Sequence, residues 1–195
     1  MEERFPGLPQ AYALIAEATR EAQFTMGSDV AAGALLKTLA GSKPGGSLLE
    51  LGTGTGLSTA WILDGMDTAA RLTSLDNDAN VLRIAEQFLG DDTRLTLVHT
   101  DGGDWLEQNA EARFDFIFAD SWHGKYLMLE QALHLLNPGG LYVIDDMLPQ
   151  PNWPTGHHEK AIRLLEVLHE RTDLSVTQLP WSTGVVIAVK RAEAN

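Results

Sequence analysis

The sequence predicts an α/β fold: a doubly wound, seven-stranded, mostly parallel sheet with one antiparallel edge strand and helices on both faces. Three observations predict it. From Ser47 onward, apolar strand patterns alternate with helical ones, and such alternation produces a parallel sheet with right-handed crossovers. The first strand pattern runs into Gly52, Gly54 and Gly56, a turn whose glycines accept positive φ and let backbone lie against a ligand. The strand patterns also end in acids, namely Glu50, Asp76, Asp101, Asp120, Asp145 and Asp146, on the rim where open parallel sheets hold their ligands.

Taken in order, Gln10 to Gln23 carries Tyr12, Ile15, Ala16 and Thr19 at helical spacing. A second helical pattern runs from Ser28, read as its N-cap, to a stop at Gly41. The linker Phe24-Thr25-Met26-Gly27-Ser28 is more apolar than a free loop should be. Strand Ser47 to Leu51, helix Leu57 to Met66, strand Arg71 to Asp76, helix Ala79 to Leu89 and strand Arg94 to His99 follow, with Asp78 placed to cap the helix at Ala79. A short helix passes through Trp105 and Leu106. Strand Phe114 to Ala119 is nearly all apolar, hence buried on both faces and central. Helix Tyr126 to Leu136 stops at Asn137-Pro138-Gly139-Gly140, and strand Leu141 to Ile144 follows. After a proline-rich loop, helix His158 to Arg171 leads to a closing hairpin, Leu174 to Leu179 and Val185 to Lys190, which supplies the antiparallel strand.

The 195 residues are enough for one sizeable core, so a single domain is expected, with residues 1–46 a helical cap and 47–195 the α/β core. Zero cysteines exclude disulfides and thiolate metal sites. The formal charge of −13 repels a phosphate backbone, which argues against nucleic acid as a partner. No apolar run approaches the roughly 20 residues of a membrane span, and Met1 to Pro9, acidic and broken by prolines, does not read as a leader. A cytoplasmic protein without a membrane partner is the expectation. The proline-rich loop, the terminal hairpin and the extra N-terminal helix offer surfaces for a homodimer.

The dinucleotide pattern G-x-G-x-x-G would need glycine where Leu57 stands. The chain has instead E-x-G-x-G-x-G from Glu50 to Gly56, and this resembles motif I of class I methyltransferases, Rossmann-like enzymes that bind S-adenosylmethionine. Asp76, about twenty residues past the loop at a strand tip, is placed to hold a ribose diol, since both hydroxyls can donate to one carboxylate. Three carboxylates at the ends of adjacent central strands, Asp120, Asp145 and Asp146, would repel one another unless a cation or hydroxyls satisfied them, and such a group suits a hard cation such as Mg²⁺.

The block Ala119-Asp120-Ser121-Trp122-His123-Gly124-Lys125-Tyr126, with Asn137-Pro138-Gly139-Gly140 and Val143-Ile144-Asp145-Asp146, is similar to the metal-dependent O-methyltransferases of the catechol and caffeoyl-CoA group. The resemblance runs from about Phe24 to the end. It implies a divalent metal, Mg²⁺ or similar, on Asp120, Asp145 and Asp146, and Met26 over the methionine part of the cofactor. It also implies cofactor contacts from Glu50, Gly52, Gly54, Gly56 and Ser58 around the loop, and from Asp120. Asp76 would hold the ribose and the Asp101-Gly102 turn the adenine, with Trp122 flanking the ring. His123 stands where the family has its lysine base, and Asp146 where it has asparagine. An imidazole accepts a proton at neutral pH without the desolvation a lysine requires, so His123 is the candidate base.

The implied reaction is methyl transfer to an oxygen of a small, catechol-like or phenolic acceptor. The alternatives are a metal-independent methyltransferase of the same fold, a non-catalytic S-adenosylmethionine-binding protein and a dinucleotide oxidoreductase, the last opposed by the glycine spacing. Paired His157 and His158, opening a helix, are expected to face solvent, and Lys125 to be a solvated helix-start lysine. Trp153 and Trp181 sit on loops over the same rim, either as an aromatic wall or as plugs.

Overall fold

A computed structural model describes residues 7–150 and 153–192. The leader reading of Met1 to Pro9 falls mostly, and Pro151 wholly, outside the described residues. The elements are α1 (Tyr12–Glu21), α2 (Val30–Gly41), β1 (Ser47–Leu51), α3 (Leu57–Gly65), β2 (Arg71–Asp76), α4 (Ala79–Leu89), β3 (Leu95–His99), α5 (Gly102–Gln108), β4 (Phe114–Ala119), α6 (Leu129–His134), β5 (Leu136–Ile144), α7 (His157–Glu170), β6 (Leu174–Leu179) and β7 (Val185–Lys190). The strands form one sheet in the order β3-β2-β1-β4-β5-β7-β6. Strands β1 to β5 pair in parallel. The antiparallel strand is β7, which lies one place in from the edge, between β5 and β6.

Consecutive residues of β1 serve two cores. Leu48 points to one face with Leu72, Phe116, Phe118 and Val143, where α1 to α4 supply Ile15, Leu36, Ile62, Leu63 and Leu89. Leu49 and Leu51 point to the other with Leu75, Ile117, Tyr142 and Ile144, under Ala132, Ala161, Leu164 and Leu168 of α6 and α7. Strands buried on both faces need no polar alternation, which is why β4 is an unbroken apolar run after Asp115. The N-terminal helices belong to the first of these cores. Helix α2 approaches α3 closely because Gly33 lacks a side chain: a Cβ there would lie 2.2 Å from the buried Trp61 ring, whose edge also meets Tyr12 at 5.8 Å.

Several boundaries differ from expectation, three of them for reasons visible in the local geometry. The N-cap of α2 is Asp29, not Ser28: its carboxylate accepts from the Ala32 amide at 2.8 Å, while the Ser28 hydroxyl points to Asp120 at 3.4 Å. Asp29→Ala should therefore cost about 1 kcal/mol and Ser28→Ala much less, as read from urea unfolding midpoints. Helix α6 starts at Leu129 rather than Tyr126, because Gly124 (φ 86°) and Met128 (φ 54°) adopt left-handed conformations and close a tight loop before it. Strand β5 starts at Leu136, which pairs with Phe114; Asn137 to Gly140 then bulge out before Leu141 rejoins opposite Phe116.

Candidate active site

The turn after β1 is tied to β2 by backbone and by the Asp76 side chain, and lies close against the end of β4. The amides of Gly52 and Thr53 both donate to the Leu75 carbonyl, at 2.9 and 3.1 Å. Gly52 (φ 106°) passes so close to β4 that a Cβ would lie 2.7 Å from the Asp120 carbonyl oxygen. Gly54 (φ 53°) donates its amide to Asp76 Oδ2 at 2.8 Å, and Asp76 Oδ1 accepts from the Asp78 amide at 2.9 Å. Each Asp76 oxygen therefore spends one acceptor site on the chain and keeps another for a hydroxyl. Ribose binding and loop bracing are compatible in this carboxylate.

Glu50 is not a surface contact. It lies fully buried beneath the turn, where Ser58 donates to Oε1 and Thr59 and Ser74 donate to Oε2, each at 2.6 Å. Burial pushes its carboxyl up to about 7, against the pull of the three hydroxyls. Gly56 (φ 94°) also faces away from the cleft, since a Cβ there would meet Ala85 at 3.0 Å and Leu89 at 3.1 Å; its role is to bring α3 onto α4. Asp101 caps α5, accepting from the Gly103 and Asp104 amides at 2.8 and 3.2 Å. Glu50, Gly56 and Asp101 thus shape the site without lining it.

A cleft of about 580 Å³ opens over this turn, and Met26, Gly52, Gly54, Ser58, Asp76, Gly102, Asp120, Trp122 and His123 all line it. Phe24, Thr53 and Ser121, which the sequence reading did not single out, line it too. Two large apolar side chains stand open on its rim, Met26 at 70% exposure and Trp122 at 45%. The His123 ring leans over the start of α5, with Nε2 3.9 Å from Asp101 Oδ1.

The acidic residues beyond β4 and β5 do not fit a divalent cation. Asp145 is buried, and its Oδ1 already accepts from Thr183 Oγ1 at 2.5 Å and from the Asp146 amide at 2.8 Å. Asp146 takes a left-handed backbone (φ 55°). Among the described residues, no group of three or more His, Asp or Glu side chains is placed to hold a metal ion. Burial pushes the Asp120 carboxyl well above the ordinary range, with the Asp145 charge adding to it, and pushes Asp145 up to about 6.

Lys125 departs most from its sequence reading. It is 5% exposed, not solvated, and its ammonium donates to the Asp145 carbonyl oxygen at 2.7 Å. His157 departs too, although His158 is exposed as expected. His157 Nε2 lies 3.1 Å from the Tyr126 hydroxyl, its ring meets Trp122, Tyr126 and Trp153 with centroids 5.7, 5.1 and 4.5 Å away, and its Nδ1 is buried without a partner. Burial lowers its pKa, helped by Lys125 and Lys160, while burial and then Asp146 push Tyr126 up to about 12. Trp153 therefore packs its loop as a plug against His157 and is not among the residues lining the cleft. Trp181 donates Nε1 to the Ala31 carbonyl at 2.8 Å and pins the hairpin turn to α2. Helical periodicity alone cannot register His157, because its hydrogen-bond partner Tyr126 lies 31 residues earlier in the chain.

A glycine turn at the carboxyl end of β1, an acid at the tip of β2 and one shared cleft define the class: S-adenosylmethionine-dependent methyltransferases of class I. The methyltransferase domain family matches residues 49–147. A relative from Mycobacterium avium (strain 104), named as an O-methyltransferase, is 32% identical over 172 residues, covering 82% of this chain and 77% of its own. A Mycobacterium bovis relative of the same name is 30% identical over 170 residues, covering 82% and 76%. In structure, the O-methyltransferase from Bacillus cereus in complex with SAH superposes with a TM-score of 0.81 at 22% identity, covering 93% of this chain and 90% of that one. The chain belongs to the O-methyltransferases of the methyltransferase domain family. Among the described residues no helix is long and apolar enough to cross a membrane.

Proposed function

We propose that this enzyme transfers the sulfonium methyl of S-adenosylmethionine to a hydroxyl oxygen of a small, flat acceptor such as a phenol or catechol. One observation carries the reading: the cofactor turn at Gly54 and Asp76 and the side chains of Trp122 and His123 line the same cleft. Its volume of about 580 Å³ suits a nucleoside-sized ligand with a small partner. The exposed apolar faces of Met26 and Trp122 on the rim suit the methionine and adenine parts of the cofactor, which leaves the remainder of the cleft to a small acceptor.

In this reading His123 takes the hydroxyl proton as the acceptor oxygen bonds to the methyl carbon and the carbon–sulfur bond breaks. The products are the methylated acceptor, S-adenosylhomocysteine and a proton passed on from the imidazole to water. The chain's contribution is mostly positioning, through the braced turn and the rigid strand ends that carry these side chains. Asp145 Oδ1 is engaged by Thr183 and the Asp146 amide, and the reading routes no step through a divalent cation.

Release of S-adenosylhomocysteine across a panel of phenols, catechols and amines tests the acceptor class, and methylation of amines alone would replace it. His123→Ala should lower kcat roughly 100-fold and leave S-adenosylmethionine affinity within a few-fold of wild type. An unchanged kcat would move the proton acceptor elsewhere, with the Tyr126–His157 pair next in line.

A further inference from the structure

Lys125 is the one buried cation among the described residues, and the loop around it is built to put it there. Gly124 (φ 86°) allows a turn that no side chain could make, since a Cβ would lie 2.5 Å from Leu51 and 2.9 Å from the Tyr142 hydroxyl. That hydroxyl donates to the Gly124 carbonyl at 2.6 Å and pins the turn onto the sheet. The Gly124 amide in turn donates to the Leu127 carbonyl at 2.8 Å, closing the loop on itself. The next side chain is thereby sent under the end of β5 instead of into solvent.

Burying an ammonium is costly unless opposite charge surrounds it. Here the surroundings are the acids at the ends of β4 and β5. The ammonium's hydrogen bond goes to the backbone of Asp145, so it acts on the carboxyls through its field, and its attraction reaches both Asp120 and Asp145. Tyr126 lies beside it, with the ring centroid 5.6 Å from Nζ. The titratable groups this ammonium's field reaches are Asp120 after β4, Asp145 after β5 and the lowered imidazole of His157 at the start of α7, and Asp146 acts on the same three.

We propose that Lys125 is a built-in cation that balances the acids beyond β4 and β5, holds the strand ends in register at the cleft, and leaves no place there for a divalent ion. Lys125 is then a positioning residue, and the inference rests on the proposed methyl transfer only where activity is read.

The test uses the full chain, Mn²⁺ as the probe, and melting temperature with electron paramagnetic resonance as readouts, none of which needs an acceptor. Wild type should leave the free Mn²⁺ signal and its own melting temperature unchanged. Lys125→Met should melt lower, by on the order of 5 °C, and should now bind Mn²⁺ and regain stability from it, because the acids have lost their counter-charge. Lys125→Met combined with Asp145→Asn should melt higher than Lys125→Met alone, since the excess negative charge is gone. Stoichiometric Mn²⁺ binding by wild type overturns the proposal. So does a folded Lys125→Met protein that neither binds Mn²⁺ nor gains stability from it. Should Lys125→Met not fold, the double variant decides: recovery of a cooperative melt supports the proposal and continued failure overturns it. Calorimetry with S-adenosylmethionine, run on wild type, reports on the cofactor separately, so loss of the methyltransferase reading and loss of this one give different results.

Discussion

Gly54→Val is expected to fold and to bind S-adenosylmethionine about a thousandfold more weakly, a loss of ~4 kcal/mol. Gly54 holds φ at 53°, where a β-branched residue is strained by about 1–2 kcal/mol. The added side chain would also enter the cleft, with its Cβ 3.2 Å from the Phe24 ring and its branches directed at the space the ligand needs. Relief of that strain would pull the Gly54 amide off Asp76 Oδ2, so the carboxylate read as the ribose holder would lose its brace as well. The core beneath does not depend on this residue, because Gly52 and Thr53 are tied independently to Leu75. Titration calorimetry beside a thermal melt separates the two effects, and unchanged affinity in a folded variant would place the cofactor elsewhere.

The second large effect is a pH dependence of stability centred on Glu50. Its carboxyl sits at about 7 in the folded protein, raised from an ordinary 4.5 first by burial. The folded state therefore holds this proton more tightly than the unfolded chain does. The resulting stability is fully present below pH 4.5 and is lost as pH rises through about 7. A shift of this size corresponds to about 3 kcal/mol at 1.36 kcal/mol per unit. Asp145, raised to about 6, and Asp120 act in the same direction, so wild type should lose more than Glu50's share between pH 5 and pH 8. Glu50→Gln cannot ionise and should flatten the profile by about 3 kcal/mol, with Ser58, Thr59 and Ser74 re-pairing to the amide. Urea unfolding at the two pH values measures it. An unaltered slope in the variant would show that Glu50 is not the group that titrates.

The sequence by itself determined the architecture, because the signals that specify it are local. Period-two and continuous apolar runs marked every strand, and β1, β2, β4, β6 and β7 coincide with their expected bounds. The glycine turn and Asp76 were legible for the same reason: twenty-odd residues of strand and helix bring them to neighbouring strand tips by the rules of a parallel crossover. Spacing also separated this turn from the dinucleotide pattern. Tertiary structure alone decided what each polar side chain faces. Glu50 reads as one more acid on the rim, yet its position in β1, between the two cores, turns it down onto three hydroxyls from α3 and β2. Lys125 reads as a solvated helix-start lysine, yet a left-handed Gly124 and the Tyr142 hydroxyl, contributed by a strand far along the chain, swing it under β5. His157 acquires its burial from Tyr126, Trp122 and Trp153 in the same way. Backbone pattern follows from neighbours in sequence, whereas burial and charge balance follow from neighbours in space. That is why the fold and cofactor turn could be read from the chain, and why the acids taken for a metal site needed the structure to show the lysine among them.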